Sequence, residues 1–291
     1  MLAVQILIDG FAISALYALG ALGFTLIFGV SGVLNLAHGA ILVTSAMVAW
    51  YVGTDSGGGA LTGAAAGVAA GVVTAFVTYG LVVRPIQRSK AIPGVERELF
   101  VLTGTLLWGV MIQILLADVF TTTPITVEQL VTGTIDIFGV RTAGNEVFIA
   151  VVSWAVLGLL WLLVNRTPAG RRLLAASINP RALTLVGVEL DHVHLLAWGI
   201  YGVIAGIAGV LLGSFLGTSS AYIPALTGTA FAIVVLGGLG SVSGTVIAAY
   251  VVGYLETLTA YLVSPSWRAV PALVLLLAVL YFRPQGILGR R

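Results

Sequence analysis

The chain has 291 residues, 59% hydrophobic and only 8% charged, against about 25% charged in soluble domains. A net charge of +2 with no cysteine excludes disulfides and thiolate metal sites. Runs of roughly 20 apolar residues follow one another, without the alternating ten-residue strands of an outer-membrane barrel. The fold class is therefore all-α and polytopic: one transmembrane domain over 1–291 with about eight to nine spans.

The first span is expected over about 5–28; it has no basic region ahead of it and reads as a retained span, not a cleaved signal peptide. Next comes "FGVSGVLNLAHGA", Phe28–Ala40, which sets Asn35 and His38 among Gly29, Gly32 and Gly39. Those glycines are expected to interrupt the helix, and an asparagine in hydrocarbon needs a hydrogen-bond partner. Such a break survives only where it is buried in protein or lines a cavity.

A second span at about 35–52 leads through "GTDSGGG" to a third at about 60–83. There Gly63, Gly67 and Gly71 share one face, as Gly202 with Gly206 and Gly209 with Gly213 do later. Small residues at this spacing let membrane helices approach closely, and intramolecular packing is the expected use. Spans at about 99–118, 147–164 and 193–215 come next, then a shorter piece at about 225–236 that either crosses or dips in and returns. Spans at about 243–263 and 267–282 complete the set.

"LGGLGSVSGT", Leu236–Thr245, is a second predicted break. Paired interruptions point to a transporter's substrate pathway, making Asn35, His38, Gly39, Gly237, Gly238 and Ser241 the candidate pathway residues; the other reading, and the favoured one for Asn35 and His38, is that they simply bond to backbone exposed at the break. Glu256 lies inside an apolar run and is expected to be buried and paired; Asp9 and Asp118 lie nearer span ends and are expected to reach the interface.

Eleven of the thirteen Lys and Arg residues fall in Arg84–Glu98, in Arg166–Asp191 and in a tail carrying Arg283, Arg290 and Arg291. The positive-inside rule makes these segments cytoplasmic, and counting back sets the N-terminus outside. In the middle loop, about 166–191, Thr167-Pro168 and Asn179-Pro180 each combine a helix N-cap with proline at the first helical position. Gly187 supplies a C-terminal cap. Two short helices with basic and apolar residues are predicted, suited either to the membrane surface or to a groove on a cytoplasmic partner.

No catalytic residue is expected. The single lysine, Lys90, follows Ser89, so a G-x-x-x-x-G-K-[ST] phosphate loop is excluded. His192 and His194 lack a carboxylate partner and are not expected to hold a metal.

Four segments together resemble the permeases of branched-chain amino acid ABC importers, the LivH-like half in particular: "ALGFTLIFGVSGVLNLAHGA", "GRRLLAASINPRALTLVGVE", "AFAIVVLGGLGSVSGTVIAAYVVGYLE" and "FRPQGILG". The resemblance implies a pore-forming subunit in a prokaryotic cytoplasmic membrane, paired with a related or identical permease. It further implies two cytoplasmic ATPase subunits and an extracytoplasmic substrate-binding protein. ATP would bind the partner subunits; this chain is expected to hold no cofactor and to meet no nucleic acid. By the same resemblance the middle loop docks on the ATPases through Gly170, Arg171, Ala176, Asn179, Pro180, Ala182 and Gly187. The alternative is a passive channel built from two half-helices, which wants a second asparagine in the later break, where there is none.

Overall fold

The structure is a computed structural model and describes residues 2–93, 96–120, 122–137, 139–283 and 285–289. Arg290 and Arg291 of the basic tail, and Pro284 of "FRPQGILG", lie outside the described residues. In chain order the helices are α1 (Leu2–Ser31), α2 (His38–Trp50), α3 (Ala60–Thr78), α4 (Arg84–Arg88), α5 (Arg97–Val119) and α6 (Gly144–Arg166). After them come α7 (Pro168–Ile178), α8 (Pro180–Leu185), α9 (Leu190–Phe215), α10 (Ile223–Gly237), α11 (Val242–Leu262) and α12 (Val270–Phe282). Eight stretches are long and apolar enough to cross a membrane; α2, extended by a π-helical turn over Tyr51–Asp55, is a ninth and shorter helix.

The first break lies at 32–37. Gly29 sits inside α1 and Gly39 inside α2, so neither interrupts a helix as the sequence suggested. Gly32 alone turns the chain, at φ +66°, with its N–H donating to Phe28 O at 2.8 Å. Left-handed backbone is open to glycine at little steric cost. The second break is real and short: Gly238 and Gly240 take φ +102° and +79°, and the Ser241 hydroxyl caps α11 by accepting from Gly244 N–H at 3.2 Å.

The stretch with two readings, about 225–236, belongs to a helical segment, Ser220–Gly237, long and apolar enough to cross. Its approach pairs with the loop after α5, Thr218 and Ile125 exchanging backbone hydrogen bonds of 2.8 Å. Its far end meets the C-terminal tail, where Ile287 and Leu288 N–H donate to Leu236 and Gly237 carbonyls at 2.8 and 3.1 Å. These bonds satisfy carbonyls that a helix terminus leaves unpaired.

The glycine faces pack within the chain. A Cβ added to Gly67 would meet Ser45 O at 2.5 Å, and one on Gly71 would meet Gly206 Cα at 2.7 Å. One on Gly202 would meet Val72 Cα at 2.8 Å. So α2, α3 and α9 run backbone against backbone, the packing that small residues allow where no hydrophobic force separates protein from lipid.

Antiparallel α1 and α11 are joined by hydroxyl contacts: Thr25 to Thr245 at 2.7 Å and Ser14 to Tyr250 O at 3.4 Å. Asp9 belongs to this seam. It is buried within the protein, bonded by Gln5 at 2.7 Å and by the Tyr261 hydroxyl. The α5–α6 loop adds a feature absent from the all-helical expectation, a small antiparallel hairpin of β1 (Thr134–Ile137) and β2 (Val140–Ala143).

Candidate functional site

The break between α1 and α2 is closed by side chains from three other helices. Asn35 is 1% exposed and His38 not at all. Asn35 Oδ1 accepts from Ala37 N–H at 3.1 Å, which fixes the amide's orientation and leaves Nδ2 to donate to the Tyr201 hydroxyl of α9 at 3.0 Å. The same hydroxyl lies 2.9 Å from His38 Nδ1. Leu36 N–H donates to Thr105 of α5 at 3.1 Å, and Gly39 N–H to Thr227 of α10 at 2.9 Å.

Aromatic packing fixes the same centre. Tyr201 stacks on His38 with centroids 5.7 Å apart, and Phe24 and Trp198 approach His38 and Tyr201 edge-on. Buried polar groups need partners, and this break supplies nearly all of them from inside the protein. The exceptions are His38 Nε2 and the Trp198 Nε1–H, which have no partner among the described residues.

Gly39 marks the closest approach between helices. A Cβ there would strike Ile223 O and come within 2.5 Å of Thr227 Oγ1. The N-termini of α2 and α10 therefore meet inside the bundle, near a small, partly open cavity of about 20 Å³ lined by His38, Leu42, Tyr17, Ala208, Thr229 and Ala230, among others.

Of the candidate pathway residues, Asn35, His38 and Gly39 are brought together. Gly237, Gly238 and Ser241 form a separate group at the basic end, folded against the tail: a Cβ on Gly238 would crowd Gly289, and one on Gly286 would lie 2.6 Å from Gly238 N. The two breaks thus do not share one site. Sequence reasoning missed Tyr201, Thr105 and Thr227, since a hydroxyl inside an apolar helix carries no mark of its partner. Glu256 is buried and paired as expected, accepting from Tyr17 at 2.7 Å and from Arg268 at 3.2 Å, partners that sequence reasoning did not identify.

At the basic end the loop folds as predicted. Thr167 and Asn179 hydroxyl and amide oxygens cap α7 and α8 by accepting from Gly170 and Ala182 N–H, both at 3.0 Å, and Gly187 takes φ +82°. The seven candidate docking residues divide. Gly170 and Ala176 are buried and seat α7 on α6, a Cβ on Gly170 having to overlap Leu163 O and Val164. Arg171, Asn179, Pro180, Ala182 and Gly187 are exposed. With them Leu174, Ile178, Leu185 and Val186 are exposed apolar residues, Leu185 at 88%. The loop is tied to the first basic segment, because Asp191 at the start of α9 pairs with Arg84 at 3.2 Å and with Arg88. His192, expected to lack a carboxylate partner, lies 3.1 Å from Glu189 one turn away; neither it nor His194 joins a group able to hold a metal among the described residues.

Comparison with known proteins agrees with this architecture. The family described as "Branched-chain amino acid transport system / permease component" matches residues 6–280. The high-affinity branched-chain amino acid transport system permease protein LivH of Escherichia coli K12 is 28% identical over 299 aligned positions, covering 98% of this chain and 95% of that protein. BraD of Pseudomonas aeruginosa is 29% identical over 297 positions with the same coverage. Among solved structures, PsaBC from Streptococcus pneumoniae shares the fold at TM-score 0.53 and 13% identity, over 96% of this chain and 92% of that one. With its apolar helices, the chain is a multi-pass inner-membrane protein that belongs to the family of permease components of branched-chain amino acid transport systems.

Proposed function

We propose that this chain is the translocating subunit of an ATP-driven importer for branched-chain amino acids. It pairs with a second permease, related or identical, takes its energy from two cytoplasmic ATPase subunits that bind the ATP, and receives solute from an extracytoplasmic binding protein. The observation that carries this reading is the α7–α8 loop. Its helices are capped at both starts and seated by Gly170 and Ala176. Its other face presents Arg171 and Arg181 beside Leu174, Ile178, Leu185 and Val186. A rigid exposed face of this kind fits a groove on a partner.

In this reading Arg171, Asn179, Pro180, Ala182 and Gly187 shape the docking face, and the pathway runs beside the break at Asn35, His38 and Gly39. Two helices starting inside the bundle also suit a passive channel. The space between them, about 20 Å³, is too small for a solute in this state, so in either reading the pathway must open.

The test is co-purification in mild detergent, followed by uptake of L-leucine in proteoliposomes with the cognate ATPases and binding protein. ATP-dependent uptake that falls with Arg171→Glu is expected. Uptake down a gradient by the chain alone, without ATP, would establish the channel instead.

A further inference from the structure

The hydrogen-bond pattern at the break favours one tautomer of His38. With Asn35 Oδ1 held as an acceptor by Ala37 N–H, Nδ2 is the donor toward Tyr201. The Tyr201 hydroxyl accepts that bond, and its own proton is free to be donated to His38 Nδ1, 2.9 Å away. Nδ1 is then an acceptor, and the ring proton of the neutral imidazole resides on Nε2. That leaves a buried N–H donor without a protein partner.

His38 also lines the small, partly open cavity between α1, α2, α9 and α10. A cavity of about 20 Å³ exceeds the roughly 10–15 Å³ of probe-occupied volume that one water molecule requires. Thr229 is a polar residue of the same lining. His38 is the first residue of α2, and the positive end of that helix dipole favours an oxygen acceptor over a cation. Tyr17 lines the cavity from α1, and its hydroxyl belongs to the Glu256–Arg268 group. The cavity thus separates two polar networks that are otherwise divided by apolar side chains.

We propose that this cavity is a built site for a single internal water, bound through its oxygen to His38 Nε2–H. The water is the one wet point between the helix break and the Tyr17–Glu256–Arg268 group, from which hydration of the pathway can start.

The chain has only three histidines, so selective nitrogen-15 histidine labelling in lipid nanodiscs gives a simple spectrum. Replacing His192 and His194 by Gln leaves His38 alone. The expected result is an unprotonated Nδ1, a protonated Nε2, and magnetisation transfer from water to the Nε2 proton. Ala230→Val fills the cavity wall and should remove the transfer while keeping the tautomer. Tyr201→Phe should instead lose the tautomer preference. A proton on Nδ1, absence of water transfer in the unsubstituted core, or transfer undiminished in Ala230→Val would each overturn the proposal. None of these readouts depends on transport, so they stand or fall apart from the importer reading.

Discussion

Replacing Tyr201 by Phe deletes one hydroxyl and keeps the ring that stacks on His38 and meets Trp198. That hydroxyl serves two bonds, 3.0 Å to Asn35 Nδ2 and 2.9 Å to His38 Nδ1, and all three residues are at most 1% exposed. A buried polar group left unpaired costs about 1–3 kcal/mol. His38 can recover part of its share by moving its proton, so about 2–4 kcal/mol is expected for the pair. At about 2–4 °C per kcal/mol for proteins of this size class, thermal unfolding in nanodiscs should drop by on the order of 5–10 °C. Asn35→Leu acts on the same bonds, and the double variant should lose about 1–3 kcal/mol less than the sum of the two single losses. A shift within the error of the measurement, or strict additivity with Asn35→Leu, would refute the view that the break is held from α9.

The same logic gives three further expectations. Gly39→Ala must displace Ile223 or Thr227 at the start of α10, and overpacking of about 1–3 kcal/mol outweighs the roughly 1 kcal/mol gained in helix propensity. Gly80→Ala, with nothing within 4 Å, should be neutral or slightly stabilising in the same unfolding assay. Arg268→Gln leaves Glu256 buried against Tyr17 alone; Arg268 is itself about one-third exposed, so a loss of about 1–3 kcal/mol is expected, below the 3–5 kcal/mol of a fully buried pair, and no loss on denaturation would mean the pair is merely a surface contact.

Much of the architecture was legible because bilayer physics leaves few choices. Long apolar runs gave the spans, and the glycine faces of α3 and α9 gave their close packing. The caps at Thr167 and Asn179 were readable because capping is local, set within three residues. What failed was set by distant partners. Gly29 and Gly39 looked like helix breakers, yet glycine in a membrane helix serves equally to admit a neighbour, and Gly39 admits α10. The partner of Asp9 was equally hidden, since Tyr261 lies 252 residues away. The partners of Asn35 could not be found either, since Tyr201 lies 166 residues away in an apolar helix whose composition suggests only packing.

The contacts also connect the two regions that the sequence singled out. α9 begins directly after the α7–α8 loop, and its second residue, Asp191, is clasped by Arg84 and Arg88 of α4. Ten residues on, roughly 15 Å along the helix, the same α9 carries Tyr201 to the break. In the proposed importer, a displacement of the loop would reach the break through this one helix, whose foot the Asp191 pairs would steer. These pairs are partly exposed and contribute little to stability, so their loss separates steering from folding. Asp191→Asn should leave unfolding within about 0.5–1 kcal/mol of the parent while lowering solute imported per ATP hydrolysed several-fold. An unchanged ratio, measured in proteoliposomes with the partner ATPases, would mean that the loop drives the break by another route, with α1 the next helix to test because α7 also packs against it.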